Sequence, residues 1–403
     1  MPPSKPTVSG AEPLAVEAPP RQRTIPFGRP IIDAAERDAV LAVLSQPVLT
    51  HGPLGRRFEE AFAAFTAAPH AVAVSSCTAA LHLAHLFPGL GPGDEVIVPA
   101  LTHVGTAHAV ELCGARCVFV DAEPQTGNLD LDRLEAAVTE NTRAISVVHF
   151  LGLPVDMARV VAFARLRGLF VVEDCALALG AELDGRHVGL HGDAGCFSFY
   201  PVKHITTAEG GMLITRRADL AADASRRRAF GIDRNVVAER PVPGEYDVTH
   251  LGHNYRLNEI AAALGLTQMQ RVAAFLAARR ANHEVLAAGL RELDEVRVLE
   301  GPGGRFESAC YCLGLVLDGP LASRRRAVMD ELKARGVGTS VYYPRPVPHL
   351  SYYRARYGIA DNSYPVARRL SARSIALPVG PHLEPQDLPY IIASVKDAIA
   401  AVR

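Results

Sequence analysis

The chain has 403 residues, with 42 basic and 43 acidic side chains and a formal net charge of −1. That balance leaves no electrostatic footprint for nucleic acid or for an anionic membrane surface, and no apolar run is long enough to span a bilayer. Hydrophobic residues make up 49%, enough for a sizeable core in one large and one smaller domain. The seven cysteines are odd in number and lack CxxC spacing, which argues against a disulfide framework or a zinc ribbon. Reduced thiols in the cytoplasm, and no metal, are the expectation. Cys310 and Cys312, two apart, would share one face of a strand.

Residues 1–24 are rich in Pro and Ala and have no apolar signal core, so they read as a disordered tail. Residues 33–45 and 55–68 carry helical patterning, with Asp33 as an N-cap. A short strand at 71–74 runs through Ser75, Ser76, Cys77 and Thr78 into a helix at 79–87. Strand, small polar turn and helix N-terminus form an anion site, since free N–H groups and the helix dipole face the ligand. The same turn also reads as an ordinary N-cap. Strands at 95–98, 117–121, 144–149 and 170–173 then alternate with helices at 103–113, 130–138 and 156–167. Such alternation implies an α/β fold with a largely parallel sheet covered on both faces. Ligands bind such sheets at the carboxyl ends of the strands. Thr78, His103 and Asp174 all follow a strand, so one pocket can hold the three.

The stretch 196–215, CFSFYPVKHITTAEGGMLIT, has apolar ends and a polar, glycine-containing middle, as expected for a reactive group held between two strands. Lys203 sits at its centre. Four of the basic residues are lysines, at positions 5, 203, 333 and 396, and 38 are arginines. A chain that otherwise relies on Arg but keeps Lys here points to an amine that loses its proton and forms Schiff bases. A surface lysine is the bland alternative, and the apolar and glycine-rich flanks speak against it. Asp174, at the end of an apolar strand, offers a carboxylate that can keep a pyridine nitrogen protonated; alone, it reads equally as a helix cap or a structural pair. Beyond, a helix at 218–229, a polar loop through Pro243 and Tyr246, and one long Ala-rich helix at 259–290 lead to a second domain. That domain reads as strands at 310–317 and 339–343, helices at 324–335 and from Gln386, and a rigid loop at Pro344, Pro346 and Pro348.

The segments SSCTAALHL, GPGDEVIVPALTHVGTAHAV, VFVDAEP, VEDCALALGA, GCFSFYPVKHITTAEGGMLIT and LGHNYRLNEIAAALGLTQ occur in this order. Together they resemble the DegT/DnrJ/EryC/StrS aminotransferases, pyridoxal 5′-phosphate (PLP) enzymes of fold type I that mostly aminate nucleotide-linked keto-sugars. The resemblance runs from about Phe27 to the C-terminus. It implies an aspartate aminotransferase-like fold, with a large PLP-binding domain at 25–265 and a small α/β domain at 266–403. Lys203 matches the family's Schiff-base lysine and Asp174 the aspartate on the pyridine nitrogen. Thr78 with the Cys77 amide matches the phosphate-binding turn, and Ser198 a further phosphate ligand. Asn254 matches an asparagine lent to the neighbouring subunit's phosphate, which implies a homodimer with shared active sites. His103 stands where an aromatic residue usually stacks on the pyridine ring, and also reads as a loop histidine. Tyr342 and His349 fall in a loop that often faces the sugar, and Arg228 and Arg256 are candidates to meet a diphosphate, unless they are simply solvated. Leu177 departs from the family, which commonly has Gln or His there as a donor to the cofactor's phenolic oxygen. The activity implied is amino transfer, with glutamate as donor, PLP cycling through pyridoxamine 5′-phosphate, and a keto-sugar acceptor in amino-sugar biosynthesis. A free keto-cyclitol acceptor, or a regulatory PLP-binding role, are the alternatives.

Overall fold

The computed structural model describes residues 24–232 and 246–403. The expected tail, save its last residue, and Pro243 of the expected polar loop lie outside them. Seven strands form the main sheet: β1 (His70–Val74), β2 (Glu95–Pro99), β3 (Arg116–Val120), β4 (Thr142–Val148), β5 (Phe170–Asp174), β6 (Ala194–Ser198) and β7 (Gly211–Thr215). Their order is β1-β7-β6-β5-β4-β2-β3. All neighbours run parallel except the two pairs made by β7, which is antiparallel to both β1 and β6.

The sheet is covered on both faces, and the two-residue period of the strands sorts their side chains into separate cores. Val96, Val98, Val172, Cys196 and Leu213 face a layer containing helices Cys77–Leu86 and Val104–Leu112. Ile97 and Val171 face the opposite way, with Val160 and Ala164 of helix Met157–Arg167. Phe197, Met212 and Ile214 meet Phe58 and Phe62 of helix Pro53–Thr66. This arrangement leaves the ends of β1, β5 and β6, and the loops after them, open on one edge of the sheet.

A second sheet is antiparallel and joins Val296–Val298, Leu313–Leu317 and Ser374–Leu377. It packs with helices Val272–Leu290, Arg325–Ala334 and Asp387–Val402 around its own apolar core, which also takes in Ile25. Several sequence expectations change here. The helix expected at 130–138 is a 3-10 turn, Leu131–Arg133, followed by the single helical turn Leu134–Ala137. The long helix expected at 259–290 is two helices, Glu259–Met269 and Val272–Leu290, bent by 60°. Cys310 and Cys312 precede their strand rather than lie in it, and Cys310 has φ 49°. Residues 339–343 make only an isolated bridge, Ser340 to Ala376. Helices Ser351–Tyr357 and Pro365–Arg373 follow the proline loop and pack Tyr353, Ala367 and Leu370 into the main sheet's core. Among the described residues no single helix is long and apolar enough to cross a membrane.

Candidate active site

A cavity of about 480 Å³ lies at the open ends of β1, β5 and β6. Into it come Cys77, Thr78, His103, Asp174, Ser198, Lys203 and Tyr342, all marked out by the sequence. Each arrives by a local rule. Ser76 ends the β1 turn as an N-cap, its Oγ accepting from the Ala79 N–H at 3.1 Å. Helix geometry leaves the N–H groups of Cys77 and Thr78 without intrahelical acceptors, and they point to the cavity end with the positive dipole. Gly211 of β7 lies directly behind this terminus. A Cβ there would stand 2.4 Å from Ser76 C and 2.6 Å from Cys77 N.

Asp174 is the last residue of β5 and is buried. Thr106 Oγ1 donates to its Oδ2 at 2.7 Å and the Ala176 N–H to its Oδ1 at 3.0 Å. The preceding residue, Glu173, faces the other way. It accepts from His149 Nε2 and from the N–H groups of Gly189, His191 and Gly192. That network binds the 189–192 loop to β5 and so fixes the strand end from which Asp174 projects. His149, Glu173 and Cys175 cluster closely enough to suggest a metal site, but both imidazole nitrogens are already hydrogen-bonded within the fold.

Lys203 lies in the loop between β6 and β7, a loop closed by Phe199 N–H to Gly210 O and Thr207 N–H to Phe199 O. Its backbone N–H donates to Tyr200 O at 2.9 Å, and Arg279 Nη2 donates to its carbonyl at 3.4 Å. The amine stands 5.1 Å from the centroid of the Tyr311 ring. Burial lowers its pKa from the ordinary 10.5 to about 8, with Asp174 among the groups that oppose the shift. Desolvation therefore wins over the nearby carboxylate, and a useful fraction of neutral amine exists near neutral pH.

His103 caps helix Val104–Leu112, its Nδ1 accepting from the Gly105 N–H at 3.0 Å, and its ring meets Tyr343 edge-on at 5.7 Å. Residues that the sequence did not mark also line the cavity, among them Thr106, Tyr311, Tyr343 and Glu209. Tyr311 and Tyr342 share a hydroxyl–hydroxyl bond of 2.7 Å. Thr106 was the readable one, since it lies three residues after His103 and so on the same face of a helix start.

Five marked residues are elsewhere. Asn254 is exposed, bridges to Ala229, and accepts from Arg256 Nε at 3.1 Å. It does not cap the following helix; Asn258 does, accepting from the Ala261 N–H at 2.8 Å. Arg228 and Arg256 line a separate cavity of about 460 Å³, where Arg228 is paired to Glu59 and the Ala73 carbonyl. His349 lines a third cleft. Leu177 is 2% exposed, packs in the apolar core of the main sheet, and does not line the Lys203 cavity.

The sequence profile of the DegT/DnrJ/EryC1/StrS aminotransferase family matches residues 30–396. The chain belongs to that family. Its relatives agree. The chain is 34% identical to the spore coat polysaccharide biosynthesis protein SpsC of Bacillus subtilis, over 94% of this chain and 98% of that one. It is 35% identical to the GDP-perosamine synthase of Caulobacter vibrioides, over 93% and 98%. Among solved structures, the PLP form of a sugar aminotransferase assigned as putative, Spr1654 of Streptococcus pneumoniae, superposes with a TM-score of 0.87 at 28% identity. The match covers 94% of this chain and all of that one, and the pyridoxamine phosphate form gives 0.88. The fold is thus that of a fold type I aminotransferase, and the enzyme is a PLP-dependent transaminase.

The residues present fit this cofactor by their own chemistry. The cavity has one desolvated amine for an aldehyde, one buried carboxylate for a ring N–H, and a helix N-terminus for a phosphate dianion. The close approach of Gly211 leaves that terminus no room to retreat.

Proposed function

We propose that the chain transfers an amino group from glutamate to a nucleotide-linked keto-sugar in amino-sugar biosynthesis. The observation that carries this reading is the convergence of Lys203, Asp174 and the 77–78 helix terminus on a single cavity. The sugar class is supported by the relatives, one named for a GDP-linked amino sugar and one for polysaccharide biosynthesis.

PLP, when bound, supplies a carbonyl for the amine and an electron sink for the substrate's carbon. In this reading the protein's own groups do the rest. The N–H groups of Cys77 and Thr78, with the Thr78 and Ser198 hydroxyls, hold the phosphate. Asp174 is oriented by the Thr106 hydroxyl and the Ala176 N–H, which both donate to its carboxylate. So placed, it would hold a proton on the ring nitrogen of the bound cofactor. Lys203 Nζ, released from the cofactor once a substrate is attached and partly neutral near pH 8, would move one proton between the substrate carbon and the cofactor's C4′ carbon, as base and then acid. His103 and Tyr342 line the same cavity; His103 would pack against the cofactor ring and Tyr342 would meet the sugar.

Asn254, outside its own chain's cavity and not used as a helix cap, serves a second subunit in a homodimer. Residues 25–265 and 266–403 form the two domains, and the cytoplasm is the proposed location. The test is a screen of the PLP-loaded protein with glutamate against keto-sugar nucleotides and keto-cyclitols. Amination of a keto-sugar nucleotide is expected. Turnover of keto-cyclitols alone would reverse the substrate class.

A further inference from the structure

Lys203 Nζ stands over the face of the Tyr311 ring, 5.1 Å from its centroid. That ring is pinned on several sides. Tyr311 is 3% exposed, its hydroxyl is bonded to the Tyr342 hydroxyl at 2.7 Å, and the His204 ring lies 5.6 Å away. Arg279 Nη1 donates to the Tyr311 carbonyl at 3.0 Å, and Nη2 to the Lys203 carbonyl at 3.4 Å. Arg279 is itself buried, at 7% exposed, and its Nε has no hydrogen-bond partner. Both of its hydrogen bonds go to backbone carbonyls, and no carboxylate among the described residues forms an ion pair with it. Burying a guanidinium with no counter-ion costs stability. In return the fold has a planar fork across two carbonyls, which an ammonium does not supply. Arg279 lies near the middle of helix Val272–Leu290. That helix begins in the core that holds Phe197 and Met212 of the main sheet and ends, at Leu286 and Leu290, in the core of the second sheet. The fork thus joins the Lys203 loop to the segment before strand Leu313–Leu317 where the helix passes between the two cores.

We propose that the Tyr311 ring face receives Lys203 as an ammonium during amino transfer, with Arg279 as the positioning residue that fixes ring and amine against each other. The inference rests on the proton-carrying role given to Lys203 above and does not depend on which sugar is aminated. When Nζ takes the substrate proton, a C–H bond breaks, an N–H bond forms, and a positive charge appears on a buried nitrogen. Against burial, three groups favour that charge: Cys77, Asp174 and Cys312. Burial keeps both thiols protonated, pushing Cys312 up to about 12 and Cys77 well above its ordinary value. Asp174 is then the one anion of the three, and the ring N–H of a bound cofactor would engage it. An aromatic face within about 6 Å stabilises an ammonium without adding a base that competes for the proton.

The experiment is an NMR titration of the protein carrying 13C at lysine Cε and loaded with pyridoxamine 5′-phosphate, which leaves the Lys203 amine free. The four lysines keep the spectrum simple, and the exposed Lys333 and Lys396 are internal references. Tyr311→Leu keeps apolar bulk but removes the ring face, so the Lys203 midpoint should fall by about half a pH unit or more. Tyr311→Phe keeps the face and should leave the midpoint in place. Arg279→Lys keeps the buried charge without the fork and should lower the midpoint too, and adding it to Tyr311→Leu should lower it no further. In the PLP-loaded protein, Tyr311→Leu should slow single turnover with glutamate about tenfold or more, with KM for glutamate changed less than about twofold. Tyr311→Met replaces Tyr311→Leu if the latter does not fold. An unmoved midpoint or turnover rate on loss of the ring would overturn the proposal, as would an equal fall in Tyr311→Phe. Additive falls for Arg279→Lys and Tyr311→Leu would overturn the positioning role, since Arg279 would then act by another route. A parent Lys203 that titrates with Lys333 and Lys396 would overturn the buried-amine reading, and the inference with it.

Discussion

Lys203 shows how much of the chemistry one residue carries. Its folded pKa of about 8 lies below the ordinary 10.5. The charged form is therefore disfavoured by folding, a cost fully present below pH 8 and relieved as pH rises from 8 to 10.5. The same shift sets reactivity. The rate at which the apoprotein captures PLP should rise with pH and level off with a midpoint near 8; a midpoint near 10.5 would contradict the buried amine. Leu177 makes a second residue-scale case. From sequence, its lack of a polar group implies a missing donor to the cofactor and a raised pKa. The structure instead buries it in the apolar core, away from the cavity wall. Leu177→Gln should thus leave the spectral titration of the PLP-loaded protein unchanged while costing about 1–3 kcal/mol of stability, the penalty of an unpaired buried amide. A shifted titration midpoint would show that residue 177 reaches the cofactor. Lys203 and Asp174 were legible because each stands in a local pattern, one in a lysine-poor chain and one at a strand end. Tyr311 was not, because its role depends on Lys203 and Tyr342, distant in sequence and near only in the fold.

At the scale of elements, the helix terminus that faces the cavity is held in place by β7. Gly211→Ala would drive a methyl group into Ser76 and Cys77 backbone atoms. Neither neighbour is a flexible side chain, so the terminus must shift. PLP affinity should fall about tenfold or more, equivalent to about 1.4 kcal/mol, as read by equilibrium dialysis. An unchanged affinity would mean the terminus does not hold the phosphate. The alternation of strand and helix from residue 71 to 173 was readable because period and turn residues are local signals. The direction of β7 was not, since ladder sense is decided by which strand it meets. The bend between Met269 and Val272 was also hidden. Neither Gln270 nor Arg271 breaks helices by propensity. The departure coincides with tertiary partners, as Arg271 reaches Asp33 and the fully buried Glu36 at the start of helix Ala34–Leu44.

For the whole molecule, the proposed homodimer has each site completed by two subunits. Lys203→Ala and Asn254→Ala proteins should each be inactive, and activity should return when they are mixed under conditions that exchange subunits. A heterodimer with a shared site carries both defects in one cavity and neither in the other. No recovery after confirmed exchange would place Asn254 in its own chain's service. The central claim, that Lys203 is the amine that holds the cofactor, has a more direct test. The protein is loaded with PLP, reduced with borohydride, digested, and the cofactor-bearing peptide is identified by mass spectrometry. The account predicts a single modified peptide, with the label on Lys203. A label on Lys333 or Lys396, or none at all, would contradict it.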